Sequence, residues 1–136
     1  VYGPRQRPDM AIARLLEATR GGPAFPLFGD GTHVRDFTFV DDVVRATVAA
    51  GTKDVPSGTT INVAGGASTT MSDLIELVGE LTGEPVPVDR KPPSAGDVDR
   101  TGGAIDRARE QLDWKPLVDV RAGVAAQLAA LDTAGS

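Results

Sequence analysis

Val34-Arg-Asp-Phe-Thr-Phe-Val-Asp-Asp42 alternates from one residue to the next and then changes period, which is how a strand running into a helix reads. The alternation predicts a strand over 34–40, with Phe37 and Phe39 on one face and Arg35 sharing their parity near its start. On that reading Arg35 points inward from the mouth of the strand. Asp41 is expected to cap the helix that follows, its carboxylate accepting from free first-turn amides. Val44 and Val48 are expected to supply that helix's apolar stripe up to Gly51.

Working back toward the N-terminus, Gly29-Asp30-Gly31 is a turn, and Phe25-Pro-Leu-Phe28 before it is a short extended piece. Pro26 removes a backbone donor there and suits a sheet edge. Ile12, Leu15 and Leu16 predict a helix over 10–20, stopped by Gly21-Gly22-Pro23. Val1-Tyr2 running straight into Gly3-Pro4 reads as a strand end cut from its strand. Toward the C-terminus, 59–64 is β-rich, and Thr70-x-x-Asp73 has the form of a capping box before Leu74, Leu77, Val78 and Leu81. Gly83 closes that helix, 86–90 suits a short strand, and 91–97 is a Pro-rich polar loop. Two helices finish the chain, one marked by Ile105, Ala108 and Leu112, the other capped by Asp119 with a stripe of Val120, Val124, Leu128 and Leu131. These elements predict an α/β chain of short strands and about five helices.

The 136 residues are 40% hydrophobic and 24% charged, which suits one domain with one core. A net charge of -5 is the wrong sign for a generic nucleic-acid surface, so any bound anion must meet a local cluster. The absence of cysteine excludes disulfides, thiolate metal sites and cysteine nucleophiles. The lone histidine, His33, argues against a serine-hydrolase triad and a dedicated transition-metal site. Asp41-Asp42 and Asp97-Asp99 lack the spaced ligand series of a calcium loop. Gly65-Gly66 sits between a strand and a helix but misses the G-x-G-x-x-G spacing of a dinucleotide loop, and a plain turn is the simpler reading. With no membrane-length apolar run and no signal peptide, the default expectation is a cytoplasmic protein that binds neither membrane nor nucleic acid.

Five segments occur in one order with consistent spacing: Val1-Tyr-Gly-Pro-Arg-Gln6, Phe25-Pro-Leu-Phe-Gly-Asp-Gly31, Arg35-Asp-Phe-Thr-Phe-Val-Asp-Asp42, Ile61-Asn-Val-Ala-Gly-Gly66 and Gly96-Asp-Val98. With the closing Leu112-Asp-Trp-Lys-Pro116, they resemble the C-terminal half of the extended short-chain dehydrogenase/reductases. Within these the resemblance is to the NAD-dependent nucleotide-sugar epimerases and dehydratases. It covers nearly the whole chain. It implies a single substrate-binding region over 1–136, without the upstream Rossmann half that in the family holds NAD and carries a Tyr-x-x-x-Lys pair. Tyr2 is followed four residues on by Gln6 rather than lysine, so the resemblance implies no catalytic residue and no NAD bound by this chain alone. The implied partners are a nucleotide-diphosphate sugar (UDP- or dTDP-linked), the missing Rossmann half and a possible homodimer mate. The implied parent chemistry is oxidation at the sugar, rearrangement of the keto intermediate and reduction by retained NADH. The competing reading is a non-catalytic nucleotide-sugar-binding or structural module that docks on a separate Rossmann chain.

The resemblance also implies site residues. Phe25, Pro26 and Phe28 match the segment along the pyrimidine base, where aromatic faces stack; burial of the same rings in a small core is the alternative. Arg35 matches the arginine that grips the diphosphate, a task suited to a planar fork of donors, with an ordinary salt bridge to a neighbouring aspartate as the alternative. Asn62 matches an asparagine near the phosphates, or else is a buried amide bonded to backbone. Asp97 matches a loop residue that shapes the site. Where relatives carry a second phosphate-binding arginine, this chain has Ser94, which leaves Arg90, Lys91 or Arg100 to replace it. Thr101-Gly-Gly-Ala104 also departs from the family's Thr-x-Ala-Asp, losing a carboxylate.

Overall fold

The structure is a computed structural model that describes residues 1–65, 68–94 and 96–134. In chain order it contains α1 (Ala11–Ala18), β1 (Phe25–Phe28), β2 (Val34–Asp36), α2 (Val40–Thr52), β3 (Ser68–Thr70), α3 (Met71–Thr82), β4 (Val88–Lys91), α4 (Asp106–Leu112) and α5 (Val120–Ala134). The strands form two small sheets. β1 and β4 pair in parallel with Phe25 opposite Val88 and Phe28 opposite Lys91. β2 and β3 pair antiparallel with Arg35 opposite Thr69. No helix among the described residues is long and apolar enough to cross a membrane.

The main core gathers Ile12, Leu15 and Leu16 of α1, Phe25 and Leu27 of β1, Leu74 and Val78 of α3, Val124 of α5, and Tyr2 with Phe39. Each comes from the apolar face its periodicity marks. A second cluster joins Ala46 to Ala64, Ile105, Ala108, Leu112 and Trp114. The α3 capping box forms as expected, with the Asp73 amide donating to Thr70 Oγ1 at 3.0 Å. Asp119 caps α5 by accepting from the Ala122 amide at 2.8 Å.

Several expectations change. The strand expected over 34–40 ends at Asp36, because Thr38 O accepts from the Tyr2 amide and the Val40 amide donates to Tyr2 O, which pairs this stretch with the N-terminus instead of β3. Phe37 and Phe39 still converge, both edge-on to Tyr2, with ring centroids 6.2 and 5.5 Å away. No strand forms over 59–64; Ile61 and Val63 pack on the second cluster and the strand lies at Ser68–Thr70. Gly66 of the Gly65-Gly66 turn lies outside the described residues. The strand expected over 86–90 sits at Val88–Lys91.

Asp41 does not cap α2. Phe39 takes that position without a side-chain bond, and Asp41 lies exposed in the first turn, where its charge suits the helix dipole. Its neighbour Asp42 turns inward, 1% exposed, and accepts from the Leu117 and Val118 amides as well as from Arg45. With Trp114 Nε1 donating to Asp42 O at 2.9 Å, this one residue latches the segment between α4 and α5 onto α2. The same rotation of α2 leaves Val44 and Val48 53% and 58% exposed, so they are not its buried stripe.

Candidate functional site

β2 is held on both flanks. β3 lies along one, and on the other the segment 99–101 runs parallel to it, with the Val34 amide donating to Asp99 O (2.8 Å) and the Thr101 amide to Val34 O (3.1 Å). The approach to this strap turns at Gly96, whose φ of +85° favours glycine, and the Asp97 amide closes the turn onto Ser94 O. Asp97 and Val98 are thereby delivered to Arg35. Arg35 Nη1 donates to Val34 O (2.9 Å) and Val98 O (2.8 Å), and Nη2 donates to the Asp97 carboxylate at 2.5 Å. Among the described residues nothing accepts from Nε. The Arg35 and Asp97 side chains are 23% and 33% exposed, so the pair is reachable but partly shielded from water.

β1 and β4 end side by side at Phe28 and Lys91, and beyond those carboxyl ends lies a hollow of about 460 Å³ lined by Gly29, Asp30, Thr32, His33, Lys91, Pro93 and Asp99. The carboxyl ends of parallel strands are where open α/β sheets collect ligands. His33 Nε2 lies 3.9 Å from Asp99 Oδ1, and Lys91 pairs with Asp89. Hydrogen bonds from the Thr32 hydroxyl and amide hold the Asp30 carboxyl below its ordinary range. Asp99 of the hollow and Asp97 beside Arg35 belong to the same strap.

The six nominated residues separate. Arg35 and Asp97 meet. Phe25 puts its ring in the core, with the Arg14 guanidinium 6.0 Å from its centroid, and its amide donates to Pro87 O at 2.8 Å in the pairing with β4. Pro26 is half-buried and Phe28 is exposed at the strand's end. Asn62 is exposed, not a buried amide, and lines a different hollow with Thr60, Ala104, Asp106, Arg107 and Glu110. Of the replacement cations, Lys91 lines the strand-end hollow. Arg100 instead lines a depression with Asp36, Ser68, Gly102 and Gly103, donating to Ser68 Oγ at 3.0 Å. Sequence reasoning set His33 aside because it sought triads and metals; its signal was position, two residues before Arg35 and just after the Gly29–Gly31 turn.

The described residues hold no group of three or more His, Asp or Glu able to bind a metal. Tyr2 is buried: desolvation, then the nearby charges of Asp119 and Asp42, push its hydroxyl up to about 12, and it donates to Asp119 O.

The family model for the NAD dependent epimerase/dehydratase family matches residues 1–64. UDP-glucose 4-epimerase of Mycolicibacterium smegmatis is 39% identical over 128 residues, which cover 92% of this chain and 41% of that protein. dTDP-glucose 4,6-dehydratase of Streptomyces griseus is 35% identical, with 94% of this chain and 39% of that one aligned. The solved UDP-glucuronic acid 4-epimerase of Bacillus cereus, in complex with UDP-glucuronic acid and NAD, superposes with a TM-score of 0.90 at 33% identity over 98% of this chain and 43% of its own. The chain thus spans about two fifths of the length of the curated relatives it matches.

Gly65 offers no free amide to a dinucleotide phosphate. At the glycine turn nearest in form to a dinucleotide loop, the Gly65 amide already donates to Asp36 Oδ1 at 2.9 Å, and a Cβ there would lie 2.1 Å from Phe37 O, so the close approach is filled by the chain itself. The five helices and short strands among the described residues, the alignments along nearly the full length of the chain and the superposition agree: the chain belongs to the NAD dependent epimerase/dehydratase family, within the extended short-chain dehydrogenase/reductases.

Proposed function

We propose that residues 1–136 are a single nucleotide-sugar-binding region of an NAD-dependent nucleotide-sugar epimerase or dehydratase, acting on a UDP- or dTDP-linked sugar together with a dinucleotide-binding half that this chain does not contain. The observation that carries the reading is Arg35, two residues after His33 of the strand-end hollow, anchored by Nη1 to two carbonyls and by Nη2 to Asp97, with nothing among the described residues accepting from its Nε. A fixed, permanently charged fork with donors to spare suits a diphosphate. In this reading Phe28 and Pro26 flank the base from the end of β1, Phe25 anchors that strand through its buried ring, Lys91 and His33 add donors from the hollow, and Asn62 stands apart in its own hollow. The chain binds and orients the nucleotide; it moves no proton of the reaction.

The test is calorimetric titration of UDP-glucuronic acid and UDP-glucose into the wild-type chain, Arg35→Ala and Arg35→Lys, with melting curves. Losing a charge-assisted contact costs about 1.5–3 kcal/mol, so Arg35→Ala is expected to weaken binding about tenfold or more, with Arg35→Lys intermediate. Unchanged affinity in Arg35→Ala, with a lowered melting temperature alone, would reduce Arg35 to a structural salt bridge.

A further inference from the structure

We propose that Asp97 is a positioning residue for Arg35: its carboxylate, although negative and adjacent to an anion site, strengthens anion binding by fixing the guanidinium. The proposal rests on the reading of Arg35 as the anion-binding group and adds the origin of its geometry. Arginine has five N–H donors and a long stem with considerable rotamer freedom. Here three donors are spent inside the chain, two from Nη1 on Val34 O and Val98 O and one from Nη2 on Asp97. The Nε donor and one on Nη2 remain, on neighbouring nitrogens, the arrangement that meets two oxygens of one phosphate. Of the three acceptors, Val34 O is local to β2, whereas Val98 O and Asp97 arrive together on the strap. Asp97 is the one side chain among them, and so the part of the tether that substitution can remove.

Two effects of Asp97 on a bound phosphate oppose each other. Its charge repels the anion, and its hydrogen bond prepays the ordering of the side chain that must bind it. The repulsion acts between partly exposed groups and is screened by water and salt. The lost geometry is not screened. Tethering therefore sets the sign, and removing a negative charge from the site weakens the binding of an anion.

The experiment titrates UDP into the 136-residue chain and its Asp97→Ala, Asp97→Asn, Arg35→Ala and doubly substituted variants at low and moderate salt, with a melting curve for each. Asp97→Ala is expected to weaken UDP about tenfold. Asp97→Asn, whose amide oxygen still accepts from Nη2, recovers most of that loss. In the Arg35→Ala background Asp97→Ala has no further weakening effect, since Asp97 acts through Arg35. UDP binding as tight as wild type or tighter in Asp97→Asn, with Asp97→Ala agreeing where it folds, overturns the proposal and leaves Asp97 as a competitor for the cation. Wild-type affinity in Arg35→Ala overturns the reading beneath it instead. Absence of saturable UDP binding by the wild-type chain removes both.

Discussion

Tyr2 shows how far a residue's chemistry depends on what the fold places around it. In the sequence it is the sole tyrosine, lacking the lysine that would make it an acid-base partner. In the structure it is 2% exposed, its ring meets Phe37 and Phe39, and its hydroxyl is pushed up to about 12 by burial and by the charges of Asp119 and Asp42. A raised acid favours the protonated folded state. Tyr2 therefore contributes stability that is complete below the unfolded value of about 10 and lost as pH rises from about 10 to about 12, a total of roughly 2–3 kcal/mol. Tyrosinate absorbance, which reads this one ring, is expected to rise about two pH units later in the folded chain than in denaturant, and Tyr2→Phe should remove that window of alkaline instability. A midpoint near 10 in the folded chain would contradict the burial argument. Arg35 and Tyr2 differ in legibility. The parity of Arg35 with Phe37 was visible, but its pairing with Asp97 joins residues 62 positions apart and no local pattern encodes it. The role of Asp42 is hidden for the same reason, since its partners Leu117 and Val118 lie 75 and 76 residues further along the chain.

Elements were most legible where a local rule decides them. The Thr70 cap and the Asp119 cap are short-range hydrogen bonds and formed as the spacing implies. α2 was misread in orientation because Val44 and Val48 give the same helical period whether they face core or solvent. The deciding term is the Asp42 latch, since the buried carboxylate accepting from two backbone amides cannot rotate outward without giving up both bonds. The β-rich run over 59–64 lacks a strand because alternation needs a paired neighbour, and the strand opposite β2 is Ser68–Thr70. α5 offers a sharp test of packing at this scale. Gly123 is helical, where alanine ordinarily stabilises by up to about 1 kcal/mol. Here an added Cβ would fall 2.1 Å from the Tyr2 hydroxyl and 2.6 Å from its ring. Tyr2 is walled in by the aromatic cluster, so Gly123→Ala is expected to lose about 1–3 kcal/mol in denaturant unfolding. Restoring room with Tyr2→Phe should recover part of it, and a stabilised Gly123→Ala would show that α5 is free to move away.

Across the whole molecule, the core is continuous from α1 through β1 and α3 to α5, yet Val44, Val48, Leu117 and Val98 remain exposed. Scattered exposed apolar residues are ordinary. Val44 and Val48 are different in that they sit one turn apart on a helix whose buried positions are Asp42 and Ala46, so the more apolar side of α2 is the outer one. The relatives are more than twice as long as this chain, and under the proposed function the remainder of such an enzyme is available to cover that side. In the chain by itself a second copy is the occupant always present, and burying paired valines releases about 25 cal/mol per Å² of apolar surface. The expected outcome is concentration-dependent self-association, read as a rise in weight-average mass by sedimentation across a dilution series. Val44→Gln with Val48→Gln should shift that rise to higher concentration. Neither valine is buried and glutamine suits a helix, so stability should change by no more than about 0.5 kcal/mol. If the double variant associates like wild type, the contact lies elsewhere, with Leu117 or Val98 next to be substituted. A wild-type chain that stays monomeric throughout the series would mean that α2's outward valines are ordinary surface.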